Sequence, residues 1–247
     1  MKWSEGKIIN NHTWAKDLFS ITVEAEVEPF LAGQFTRLAL DINGERIMRP
    51  YSYVNAPDEQ LLEFYAIEVK NGPFSPHLAR LKTGDTIFVS PRGSGLLTLE
   101  EVAPADQLWL LATGTALGPF LSILKSSQVW TRYQQIVLVH SVRTAEELVY
   151  RDIITKLCQQ HPGQLSYQPF VSREQTDFAI HGRVPAAISS GELVEKTGVA
   201  LNTHSSQVMI CGNPAMVTDT CTCLESMGFK LNKRRDPGNI SVENYWK

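Results

Sequence analysis

Over residues 1–100 apolar positions come in short runs, rich in β-branched and aromatic residues and partly alternating with polar ones. Leu18 to Val23, Gln34 to Leu40, Leu61 to Val69 and Thr86 to Ser90 therefore read as strands. Asn43-Gly44 fits a hairpin turn, because both residues tolerate positive φ. Short strands separated by turn residues predict an all-β barrel or sandwich. One short helix interrupts it. Ser75 suits the cap, Pro76 the first helical position, His77 to Lys82 the body, and Gly84 the stop.

The pattern then changes. Leu108 to Ala112 and Ile136 to His140 are unbroken apolar runs, each followed by Gly-rich or helix-like sequence. Thr144 and Glu147 stand three apart, the spacing of a capping box. Tyr167 to Val171 and Val208 to Cys211 are further strands, and Pro214 opens a helix to about Met227. Strands apolar on both faces and alternating with helices predict a parallel α/β sheet. Pro104 breaks the pattern between Glu100 and Asp106, so the chain divides into a β domain, 1–101, and an α/β domain, 102–247.

Composition narrows the class. The chain has 247 residues, 20% of them charged, with a net charge of −3, which gives no nucleic-acid signature. No run reaches the ~18 apolar residues of a membrane span, and the N-terminus lacks a signal-peptide core, so a cytoplasmic protein without membrane contact is expected. Cys158, Cys211, Cys221 and Cys223 lack iron–sulfur spacing, and Cys221-Thr222-Cys223 has no evident metal partners. No metal site is expected, so electrons would leave through another protein or a small molecule. Lys230, Lys233, Arg234 and Arg235 cluster within six residues. That cluster is either a solvated loop or a patch that steers an acidic partner.

Four segments carry chemistry. In Arg49-Pro50-Tyr51-Ser52, a cation, a flat ring and a hydroxyl match the pyrophosphate, ring and N5 of a flavin. On a strand, Arg49 and Tyr51 share one face. Gly72-Pro73-Phe74-Ser75 precedes a helix N-terminus, whose free N–H groups suit phosphate. Thr113-Gly-Thr-Ala-Leu-Gly-Pro119 follows a buried strand and opens a helix, the setting of a nucleotide-phosphate loop. No acidic ribose anchor ends the next strand. Ser141-Val142-Arg143 stands there, Ser172-Arg173 ends the strand after it, and Arg183 follows, which favours NADP over NAD. Cys211-Gly212-Asn213-Pro214 ends the last apolar strand. Cys211 is expected at the cleft along the carboxyl edge of the sheet, or as a small core thiol.

In this order the four segments resemble the ferredoxin–NADP⁺ reductase family, nearest its bacterial ferredoxin/flavodoxin members, over essentially the full chain. The resemblance implies a two-domain fold, an antiparallel FAD-binding β-barrel followed by a parallel-sheet, Rossmann-like NADP-binding domain. It implies Arg49, Pro50, Tyr51 and Ser52 at the flavin, and Tyr65, Ala66, Ile67 and Glu68 along it. Pro73, Phe74 and Ser75 would lie at the pyrophosphate. Thr115 would lie near flavin and nicotinamide. Thr113, Gly114, Val142, Arg143, Ser172, Arg173, Arg183, Cys211, Gly212 and Asn213 would contact NADP(H). Ser52 and Cys211 would act by positioning only. The chain ends Tyr245-Trp246-Lys247, not in the terminal Tyr of plant-type members. In the bacterial type such an aromatic is associated with FAD adenine, which implicates Trp246, with Tyr245 as the alternate.

The function implied is hydride transfer between NADP(H) and FAD, and single-electron transfer between FAD and flavodoxin or ferredoxin. Both are acidic carriers, for which Lys230, Lys233, Arg234 and Arg235 form the candidate dock. Other readings are an NADPH-dependent flavin reductase, the reductase component of an oxygenase, and an FAD-holding subunit of a larger complex.

Overall fold

The structure, a computed structural model, describes residues 2–244. By its contacts it divides into Met1–Thr98 with Gly118–Ser126, and Leu99–Leu117 with Ser127–Lys247.

In the first unit, β1 (Ser4–Ala15), β2 (Leu18–Glu24), β3 (Phe35–Ile42), β4 (Glu45–Ser52), β5 (Leu62–Ile67) and β6 (Thr86–Val89) form one sheet in the order β4-β3-β6-β1-β2-β5. Its pairings are antiparallel. A bridge from Tyr53 to Phe64, with Val54 N–H donating to the Glu63 carbonyl at 2.9 Å, joins the two ends and closes the sheet into a barrel. Closure removes the open edges that an isolated sheet leaves. Ile8, Ile21, Leu38, Tyr53, Phe64 and Ile87 fill the interior with no exposure. The β3–β4 turn is the expected one, with Asn43 at φ 52° and Gly44 at φ 83°.

Two elements of this unit differ from the sequence expectation. The twelve residues of β1 include Asn10, Asn11 and His12 and bury little, so no apolar periodicity marks them. Pairing with β2 on one side and β6 on the other makes them a strand. Helix α1 (Ser75–Ala79) is shorter than expected, and Phe74, not Ser75, is its cap. The Ser75 hydroxyl instead accepts the Val69 N–H at 2.9 Å and closes the loop before the helix.

Helix α2 (Leu117–Lys125) belongs to this unit from Gly118 onward. Ser122 Oγ donates to the buried Asn55 carbonyl at 2.7 Å, and Lys125 lies 3.5 Å from both Glu59 and Glu63. A Cβ on Gly118 would sit 3.3 Å from Val54, so the helix packs closely there.

The second unit is a sheet of β7 (Gln107–Thr113), β8 (Gln135–Val142), β9 (Leu165–Val171), β10 (Ile180–His181), β11 (Ser206–Gly212) and β12 (Ile240–Asn244). The order is β10-β9-β8-β7-β11-β12 and the pairings are parallel. Helices α3 (Gln128–Arg132), α4 (Arg151–Gln160), α5 (Val184–Ser189), α6 (Glu192–Thr197) and α7 (Pro214–Ser226) join the strands. From β7 the chain winds outward through β8, β9 and β10, then returns to β11 on the other side. The order therefore reverses between β7 and β11, where open α/β sheets bind ligands.

The capping box does not form. Thr144 makes no cap bond, and the turn it opens, Ala145–Glu147, is a three-residue 3₁₀ segment. The chain passes through Tyr150 at φ 60° before α4 begins. Glu147 reaches back one residue further, to Arg143.

Candidate functional site

The first unit brings the first two motifs together. Arg49 to Ser52 end β4, and Tyr51 lies 5.9 Å, ring to ring, from Phe74, which caps α1. The edge strand and the helix start thus share one corner of the barrel. Arg49 is exposed, with Nη1 donating to the Met48 carbonyl at 2.7 Å. Tyr51 is half-buried and burial pushes its phenol well up, so it stays neutral at physiological pH. Ser52 is buried and pairs in register with Phe35. Tyr65 and Ala66 are buried on β5, and Ile67 and Glu68 are half-buried at its end, where Glu68 N–H donates to the Asp17 carbonyl. Pro73 is exposed. Gly72 is tightly placed, since a Cβ would stand 3.0 Å from the Val69 carbonyl oxygen. A cation, a flat ring and a glycine-lined helix start within one corner fit a flavin diphosphate.

In the second unit the third and fourth motifs flank the reversal of strand order. Thr113 ends β7 and Gly212 ends β11, on adjacent strands. Thr113 Oγ1 accepts the Asn213 N–H at 3.0 Å, and Asn213 Oδ1 caps α7 by accepting the Ala215 N–H at 2.9 Å. Gly212 sits at φ 149°, and a Cβ there would fall 2.0 Å from Thr113 Oγ1. Gly114 turns at φ 55° with open space beside it, and Thr115 is buried in the 3₁₀ turn Gly114–Ala116. A glycine turn with no protein atoms against it leaves room for a ligand backbone.

The basic groups lie along the same carboxyl edge. Ser172 N–H donates to the Val142 carbonyl at 3.1 Å and Arg173 N–H to the Arg143 carbonyl at 2.9 Å, which ties the ends of β8 and β9 together. Arg183 follows β10 and is exposed, as is Arg173. Arg143 is already engaged. Its guanidinium lies 2.7 Å from Glu147, whose carboxylate also accepts the Arg143 N–H at 3.1 Å.

Cys211 is enclosed, with no exposure, between Ala112 on β7 and Glu243 on β12. Burial, and secondarily Glu243, pushes its thiol well up, so it remains a thiol and not a thiolate nucleophile. Lys233 and Asp236 exchange backbone bonds across a tight turn whose tip is Arg234 and Arg235, both exposed. Lys230 pairs with Asp236 and is the least available of the four cations. Tyr245 and Trp246 lie outside the described residues. Among the described residues no group of three or more His, Cys, Asp or Glu side chains is placed to hold a metal.

Sequence reasoning overlooked two residues. One is His140, a histidine inside an otherwise apolar strand, which was itself the signal. It is fully buried, and desolvation pushes its pKa down to about 4, against weaker upward pulls from the Gly114 carbonyl and Glu147. The other is Glu243, whose carboxyl is pushed up to about 7 by burial. It sits on a short terminal strand with no sequence signal of its own.

A raised carboxyl pKa means the folded state binds the proton more tightly than the unfolded one. Its contribution to stability is complete below about pH 4.5 and is lost as pH rises through about 7. Glu243→Gln should leave stability unchanged near pH 4.5 and raise it at pH 8 by on the order of 3 kcal/mol. Denaturant titrations of both proteins across that range check this, and parallel profiles would refute it.

Residues 6–95 match a family described as the oxidoreductase FAD-binding domain, and residues 110–222 the oxidoreductase NAD-binding domain. The chain is 46% identical over 245 residues to the flavodoxin/ferredoxin–NADP reductase of Escherichia coli (strain K12), covering 99% of each. It is 36% identical over 247 residues to the ferredoxin–NADP reductase of Pseudomonas aeruginosa, covering 96% of this chain and 95% of that one. Among solved structures, a ferredoxin NADP⁺ reductase from Neisseria gonorrhoeae with bound FAD and NADP superposes with a TM-score of 0.93, at 31% identity and 100% coverage of both chains.

Proposed function

The chain belongs to the flavodoxin/ferredoxin–NADP reductase family, and from that premise we propose that it moves a hydride between NADP(H) and FAD and single electrons between FAD and flavodoxin or ferredoxin. One observation supports the reading: the two nucleotide motifs gather at distinct places in the fold. The flavin motif lies at the corner of Tyr51 and Phe74, and the nicotinamide motif at the reversal between β7 and β11.

FAD, when bound, supplies the exchange between two-electron and one-electron steps. The protein's share is placement. Arg49 offers charge to the diphosphate, Tyr51 a neutral ring to the flavin, Ser52 a hydroxyl near N5, and the start of α1 its free N–H groups. Tyr65 to Glu68 line the cofactor. Thr115, Gly212 and Cys211 shape the nicotinamide end, where the neutral Cys211 thiol positions and does not attack. Val142, Arg143, Ser172, Arg173 and Arg183 hold the adenosine phosphate.

Flavodoxin and ferredoxin enter as acidic partners of the turn carrying Lys233, Arg234 and Arg235, with Lys230 at its base. The turn is built to hold its tip out. Asn232 donates to the Glu101 carbonyl and accepts the Gly238 N–H, and a Cβ on Gly238 would collide with the Lys230 carbonyl at 2.3 Å. We place the enzyme in the cytoplasm, in keeping with four free cysteines. Among the described residues no helix is long and apolar enough to cross a membrane.

The test is NADPH-driven reduction of purified flavodoxin and ferredoxin by the isolated yellow protein, with the extracted flavin identified against FAD and FMN standards. The expected result is bound FAD, turnover with at least one carrier, and a salt-sensitive carrier KM that Arg234→Glu with Arg235→Glu raises about tenfold or more. Extracted FMN, or reduction of free flavin with neither carrier accepted, would overturn the proposal.

A further inference from the structure

We propose that His140 is a positioning residue for the nicotinamide nucleotide: its imidazole N–H holds the Gly114 carbonyl and so fixes the backbone of the Thr113-Gly114-Thr115 turn. The inference rests on the reading that this turn receives NADP(H).

Four consecutive residues before His140, Ile136 to Val139, are apolar and fully buried on β8. His140 is equally buried, at the end of the run and level with Ala112 on the neighbouring β7. Its Nε2 lies 3.1 Å from the Gly114 carbonyl oxygen. A carbonyl can only accept, so Nε2 carries the proton and Nδ1 is the bare acceptor. Among the described residues, the buried Nδ1 has no hydrogen-bond partner. A leucine here would pack without leaving a nitrogen stranded, so core packing alone gives no reason for an imidazole.

The turn gives a reason. Gly114 can populate positive and negative φ about equally, so its own backbone does not select φ 55°. Among the described residues, and apart from its own chain neighbours, no atom lies within 4 Å of where its Cβ would be, so packing there does not select it either. Its carbonyl is held twice: it accepts the Leu117 N–H from within the turn and the His140 N–H from the neighbouring strand. The second bond comes from outside the segment and fixes the turn to the sheet. A neutral imidazole keeps that donor through the physiological pH range.

The test uses full-length protein loaded with FAD. His140→Leu should raise KM for NADPH and for NADH alike by about tenfold, the cost of one buried hydrogen bond. Maximal turnover should change little, and affinity for 2′-phospho-AMP, which carries only the adenosine half, should not change. His140→Gln, whose amide N–H can reach the same carbonyl, should restore KM. A His140→Leu protein with wild-type KM, or a parallel loss of 2′-phospho-AMP affinity, would overturn the proposal. Should His140→Leu not fold, ¹⁵N-histidine spectra of the wild type decide it. A persistent Nε2–H that shifts with NADP⁺ and not with 2′-phospho-AMP is expected, and its absence is contrary. Failure of the wild type to bind NADP⁺ at all would instead remove the underlying reading of the turn.

Discussion

Replacing Arg143 and Arg173 together with alanine is expected to raise KM for NADPH by about two to four orders of magnitude and to leave KM for NADH within a few fold. Each charge-assisted contact to a 2′-phosphate is worth about 1.5–3 kcal/mol, or roughly ten- to a hundredfold. The expectation assumes that both guanidinium groups meet one phosphate, and backbone bonds tying Ser172 to Val142 and Arg173 to Arg143 bring the ends of β8 and β9 side by side in support of it. Removing Arg143 also strands the Glu147 carboxylate, whose side chain is 15% exposed. Adding Glu147→Gln to the variant separates lost phosphate binding from that stranded charge. Steady-state diaphorase kinetics with each nucleotide, and 2′-phospho-AMP titrations, provide the measurement. Equal losses for NADPH and NADH would show that these arginines do not read the phosphate.

Gly212→Ala should be nearly as severe and of a different kind. The residue sits at φ 149°, and a methyl group would overlap Thr113 Oγ1 at 2.0 Å. Backbone strain of about 1–3 kcal/mol adds to loss of the Thr113–Asn213 hydrogen bond. The melting temperature should fall by roughly 5–10 °C. Displacing the end of β11 should slow NADPH-driven flavin reduction by about a hundredfold, since a misplacement of about 1 Å costs that much. The flavin absorbance of the resting protein should not change, because the flavin motif lies in the other unit. Thr113→Ala, which removes the obstructing oxygen, should recover part of the loss in the double variant. Strict additivity of the two substitutions would show that the clash is not the cause.

Most of the architecture was written in apolar periodicity. Unbroken runs at Leu108 to Ala112 and Ile136 to His140 announced buried parallel strands, and Asn43-Gly44 announced a hairpin. The motif segments were legible because glycine, proline and capping residues constrain the backbone locally. Cys211-Gly-Asn-Pro214 reads as a strand end followed by a helix start at Pro214, and both form there, with Asn213 supplying the cap. What the sequence hid was set by partners far along the chain. β1 is a strand because β2 and β6 flank it, not because of its own side chains. Glu147 had the spacing of a cap but found Arg143 instead. The importance of His140 and the shifted proton affinity of Glu243 follow from enclosure, which a linear pattern does not show.

The passage of α2 into the first unit has a consequence for synthesis. A ribosome releases the chain from its N-terminus, and Thr98 emerges with the barrel strands complete but Asn55, Glu59 and Glu63 still lacking Ser122 and Lys125. That face of the barrel stays uncovered until Ser126 has emerged in its turn, by which time β7 of the following unit has emerged as well. A truncation after residue 98 leaves out part of the first unit, Gly118–Ser126. A permuted chain must keep Gly118 to Ser126 within reach of the barrel, or the Asn55 carbonyl and the Glu59 and Glu63 carboxylates lose these partners.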